Sequence, residues 1–117
     1  MYDASNMAVM TGEFVAPERV LMVIFDPKEL GKRLRGARTV AGFESIDTVN
    51  VELEKRFSIT YSGRGLLAIE RGEQMPTLDQ FLTLILLYDP PGGIEFFYGS
   101  IRPEYLAEFM RIFGRKA

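Results

Sequence analysis

Apolar residues along the chain fall into alternating blocks with different periods, and the periods predict the elements. VLMVIF at residues 20–25 is a continuous apolar and β-branched run of strand length. From Asp26 the period changes to helical. Leu30, Leu34, Ala37 and Ala41 form one apolar face, with Lys32, Arg33, Arg35 and Arg38 mostly on the remaining surface. This first helix is well bounded in sequence. Asp26 is a good N-cap, Pro27 suits the first helical position, Glu29 lies where a capping box places its acid, and Gly42 provides the stop. Ile46, Val49 or Val51, Leu53 and Phe57 give a second helical stripe, although Val49, Val51, Ile59 and Tyr61 also alternate as a strand would. The helix formers at 52–56 favour a helix over 45–57, with a turn at 58–61.

A third helix is predicted over 63–71, with Ser62 as N-cap, Leu66 and Ile69 inward and Gly72 as terminator. The fourth starts at Thr77, has Gln80 in the capping-box position and runs to Tyr88. Its Leu78, Phe81, Leu82, Ile85 and Leu86 read as core on almost every side. Asp89-Pro90-Pro91-Gly92-Gly93 ends it abruptly. Ile94-Glu95-Phe96-Phe97-Tyr98 reads as a short strand able to pair with 20–25, and 103–113 as a last helix with a broad apolar surface.

The expected fold is therefore mainly α: a compact unit of four to five helices with short flanking strands at about 20–25 and 94–98. It divides into an N-terminal extension (1–25), a helical domain (26–89) and a C-terminal strand and helix (93–117). Phe96, Phe97, Tyr98, Tyr105 and Phe109 either close the core of one molecule or form a surface for a second copy.

Composition narrows the chemistry. The 117 residues suit one domain with a real core, and 47% hydrophobic with 26% charged content is that of a globular chain. There is no cysteine and no histidine, which excludes thiolate catalysis, a Ser-His-Asp triad and sulfur- or His-ligated zinc. No carboxylate, Lys, Tyr, Ser or Thr constellation stands out, so a non-enzyme without cofactor or metal is expected. Apolar runs are too short to span a bilayer and the first residues lack a basic signal region, so the expectation is a cytoplasmic protein with no membrane partner.

Net charge is −2, unpromising for nucleic acid, but its distribution is uneven. Residues 1–27 carry net −3, residues 28–72 net +3 and residues 73–117 net −2. The basic stretch contains the third helix.

Two blocks carry a resemblance. LGKRLRGARTVAGF at 30–43 resembles the opening pattern LGxRLRxxRxxxG of the phage repressor and Cro-like (XRE) helix-turn-helix family. YSGRGLLAIERGEQMPTLDQFLTL at 61–84 resembles its closing pattern hxRxxLSxIERGxxxPsLxxLxxL, where h is apolar. The resemblance covers about half of the chain. It departs from the family in having several extra residues between the blocks, Glu44-Ser45 where a phosphate-touching Gln is frequent, and Gly63, Leu67 and Ala68 at outward positions of helix three.

The resemblance implies a transcriptional regulator or repressor that sets helix three in the major groove of duplex DNA. It places Arg64 as a base-reading donor, Gly63 where the backbone approaches the duplex, and Tyr61, Ser62 and Gln74 near phosphate. Lys55, Arg56, Arg35 and Arg38 are candidate phosphate contacts, each equally readable as ordinary surface. Glu70 is expected to pair with a helix-one arginine, and Arg71 to be structural in the same way. The C-terminal segment is expected to support a homodimer on a two-fold operator. A second reading keeps the scaffold but changes the partner. The acidic ends, Glu44 and the apolar outer face of helix three suit an antitoxin-like or phage-encoded inhibitor that binds a protein.

Overall fold

A computed structural model describes residues 24–113, and these are mainly helical. Helix α1 (Pro27–Val40) starts where the sequence places it. The Asp26 carboxylate accepts from the Glu29 N–H at 2.9 Å, and Pro27 occupies the first turn. The Glu29 side chain turns to Lys32 at 3.4 Å instead of completing a capping box. Helix α2 (Ile46–Phe57) resolves the helix-or-strand ambiguity in favour of helix. A reciprocal box between Ser45 and Thr48 closes its start, and Ser58 adopts a left-handed conformation at its end. Helix α3 (Gly63–Glu70) is capped by Ser62, whose Oγ accepts from the Gly65 N–H at 3.1 Å. Helix α4 (Leu78–Tyr88) has the Thr77/Gln80 box read from the sequence and stops at a left-handed Asp89.

The expected C-terminal strand is absent. Residues Gly93–Ser100 form a 3-10 helix, packed chiefly on α1. Four apolar residues in a run of five, broken by Glu95, are too short to fix a period, so they identify a buried segment without specifying its form. The form is set by Gly92 and Gly93, both at positive φ, and by tight returns from Gly93 N–H to Pro90 O and from Glu95 N–H to Gly92 O. Of the expected N-terminal strand, residues 20–23 lie outside the described part. Phe25 makes a single antiparallel bridge, with Ile101 and not with 94–98. Asp26 N–H donates to Ser100 O and Arg102 N–H to Ile24 O, both at 2.8 Å. Pro103 then opens helix α5 (Pro103–Phe113), so the pairing goes no further.

The core is continuous. Leu30, Leu34 and Ala37 of α1 meet Val49 and Leu53 of α2, Leu66 and Ile69 of α3, and Phe81, Leu84 and Leu87 of α4. A run of aromatic contacts extends it: Phe109 on Phe25 at 6.3 Å, Phe25 on Phe81 at 5.5 Å, and Phe81 on Phe97 at 5.4 Å. Phe97 is fully buried, and Phe96, Tyr98 and Phe109 pack against the same core. Much of the C-terminal aromatic set therefore completes one molecule. Helix α4 is less enclosed than its composition suggests, because Leu82 and Leu86 are 51% and 66% exposed.

Candidate functional site

The predicted site residues do not behave as one set. Ser62, Arg64 and Gln74 share a shallow concavity with Gly65, Ala68, Arg71 and Glu73, at the start of α3 and the loop behind it. Arg64 lies on the first turn of α3, exposed, and its side chain has no ion pair or hydrogen bond among the described residues. Gly63 and Gly65 are half-buried, and Gly65 faces the Gln74 amide. The N-terminal end of α3 and the Arg64 guanidinium both favour an anion at this edge.

Arg38 requires a correction: it is not a surface cation. Its side chain is 9% exposed and pairs bidentately with Glu70, Nε to Oε2 at 2.8 Å and Nη2 to Oε1 at 3.1 Å, while Nη1 donates to Phe43 O at 3.1 Å. Its guanidinium is committed on both edges. The hydrogen bond to Glu70 raises its pKa, against the opposing effect of burial. The sequence offers the reason. Arg38 continues the i, i+4 stripe of Leu30 and Leu34, so it faces inward and needs a buried acid. The expected pairing of Glu70 with a helix-one arginine is this contact.

Tyr61 is a second correction. Its hydroxyl donates to Asp79 Oδ2 at 2.6 Å, so that proton is not offered to phosphate, and the carboxylate beside it repels one. Desolvation, reinforced by this hydrogen bond, raises the Tyr61 pKa. Lys55 and Arg56 are exposed on the last turn of α2, and Arg56 Nε lies 3.6 Å from Glu52. Neither lines the Arg64 concavity. Arg35 is exposed on α1. Arg71 reaches no other helix; it is exposed, 3.9 Å from Glu73, and lines the concavity with Arg64.

Two features escaped the sequence reading. Asn50 holds the backbone of Tyr61 from α2. Leu67, 38% exposed on α3, sits in a neighbouring hollow with Glu44, Ser45, Ile46 and Asp47. Helical spacing alone places Leu67 outward from Leu66 and Ile69, but not beside the start of α2. Among the described residues no carboxylate group is arranged to hold a metal ion, and no helix is long and apolar enough to cross a membrane. No protein-family model matches the chain, and no curated protein or solved structure matches it.

Proposed function

We propose that this chain is a non-catalytic duplex-DNA-binding protein of the phage repressor and Cro-like kind, a cytoplasmic transcriptional regulator. The segment α2–turn–α3 is its helix-turn-helix, and α3 enters the major groove. The observation that carries this reading is Arg64: an exposed, unpaired guanidinium on the first turn of a capped helix, beside Gly65 and Gln74 and in the basic third of the chain. Such a group suits bidentate contact with guanine O6 and N7. Ser62 and Gln74 stand beside it for phosphate, and Lys55 and Arg56 add positive charge at the end of α2.

The C-terminal segment gives the proposed homodimer through α5, where Tyr105, Met110 and Ile112 are 38%, 45% and 50% exposed around half-buried Leu106 and Phe109. Selection of bound sequences from random duplex DNA tests both parts. A palindromic consensus containing guanine is expected, with half-sites about 10 base pairs or a multiple apart. Arg64→Ala is expected to cost about 1–3 kcal/mol at one guanine position and relax preference there. Absence of duplex binding at low salt, at every soluble concentration, would sink the reading.

Leu67 supports a second reading, a protein-interaction module on the same scaffold. An exposed leucine bordered by Glu44 and Asp47 suits an apolar, basic protein partner better than it suits a phosphate backbone. Stoichiometric capture of one protein, with affinity indifferent to Arg64→Ala, would favour it.

A further inference from the structure

The turn leading into α3 is held by side chains from two other helices. Asn50, in the middle of α2, uses both halves of its amide on a single residue. Its Nδ2 donates to the Tyr61 carbonyl at 2.8 Å, and its Oδ1 accepts from the Tyr61 N–H at 3.0 Å. The amide thus gives Tyr61 what a neighbouring strand would give, one donor and one acceptor. From the other side, Asp79 of α4 accepts a hydrogen bond from the Tyr61 hydroxyl. One residue is fastened through its backbone to α2 and through its side chain to α4. Ser62, the cap of α3, follows directly, and Arg64 is two residues further on.

Asparagine is a poor choice for a helix interior on propensity alone. Here it is half-buried, and a good helix former of similar size would leave both Tyr61 backbone groups without these partners. Aspartate would keep the acceptor and lose the donor.

We propose that Asn50 is a positioning residue: it fixes the Tyr61 peptide and so sets the direction in which Ser62 and Arg64 leave the turn, without touching the ligand. Its consequence for binding rests on the reading of α3 as the DNA-contacting helix; its hold on the turn does not.

Amide hydrogen exchange and duplex binding test the two halves separately. In Asn50→Ala, exchange at the Tyr61 N–H should accelerate at least about tenfold relative to core amides such as that of Leu53. Affinity for the selected duplex should fall about tenfold with the salt slope unchanged, because no phosphate contact is removed. In Asn50→Asp, protection of the Tyr61 N–H should be largely kept, since its acceptor remains, and this variant decides the matter if the alanine protein does not fold. Unchanged Tyr61 exchange in the alanine variant, or loss of Tyr61 protection equal to alanine's in the aspartate variant, overturns the clamp. Faster exchange with affinity and base preference both intact overturns the positioning role. If the wild-type chain binds no duplex, the DNA reading fails, and exchange alone decides Asn50's hold on the turn.

Discussion

The most consequential single contact is the Arg38–Glu70 pair, which spans 32 residues and ties α1 to the end of α3. With side chains only 9% and 8% exposed, each partner has given up most of its hydration, and the bidentate geometry replaces it. Removing one partner leaves a buried charge unmatched. Arg38→Ala and Glu70→Ala are each expected to cost about 3–5 kcal/mol in urea unfolding at neutral pH, whereas Arg38→Met with Glu70→Leu should recover most of it. A loss below about 1 kcal/mol for either single change would show that the site stays hydrated and the pair weak. The acid half of this contact was legible, since Glu70 is expected to pair with a helix-one arginine, whereas Arg38 reads as polar surface although it follows Leu34 by four. The same spacing did not show that inward placement removes Arg38 from any ligand. The hydroxyl partner of Tyr61 was hidden for a related reason. That hydroxyl finds Asp79 on α4, 18 residues away in sequence, and no local pattern reports that contact.

At the level of elements, α1 crosses the end of α3 backbone to backbone. A Cβ at Gly31 would lie 2.5 Å from the carbonyl oxygens of both Ile69 and Glu70, so α1 and α3 must separate to admit it. Gly72 adds to the restriction. It holds φ +79, and a Cβ there would stand 2.7 Å from Lys28 Cα. Gly31→Ala is therefore expected to lose about 1–3 kcal/mol despite the better helix propensity of alanine. Gly36→Ala, in the same helix with only the Phe96 ring 3.8 Å away, should instead gain up to about 1 kcal/mol. Thermal unfolding of the two variants checks the contrast, and a shift of the same sign in both would refute the close crossing. Helices with caps were readable because capping is local chemistry: Asp26, Ser62 and Thr77 all stand where the sequence put them, while the Ser45 cap of α2 emerges only in the structure. Residues 94–98 were not, because their conformation depends on two glycines before them and on α1 beneath. Arg33 Nη1 there donates to Phe96 O at 3.1 Å, a long-range bond that sequence periodicity does not encode.

For the molecule as a whole, the charged and ring groups between α1, α3 and α4 link stability to pH. Tyr88 is 4% exposed at the end of α4, with the Phe43 ring 5.9 Å away. Burial pushes its phenol well above the ordinary tyrosine value; the Glu70 charge adds to this, and Arg38 partly opposes it. Tyr61 is displaced in the same direction, chiefly by desolvation. In the unfolded chain a tyrosine releases its proton near pH 10. The folded chain keeps it to higher pH, so above about pH 10 the native state binds more protons than the unfolded state. Stability then falls as pH rises. Below that point the contribution is fully present, and acid does not remove it. Tyr88→Phe cannot ionise, so its stability should decline less steeply than wild type from about pH 10 upward, while the two proteins lose stability alike between pH 7 and 9. Urea midpoints measured across the alkaline range give the test. Parallel alkaline limbs for the two proteins would show that Tyr88 ionises as freely in the folded chain as in the unfolded one. Its place between Phe43, Arg38 and Glu70 would then be solvated rather than part of the core.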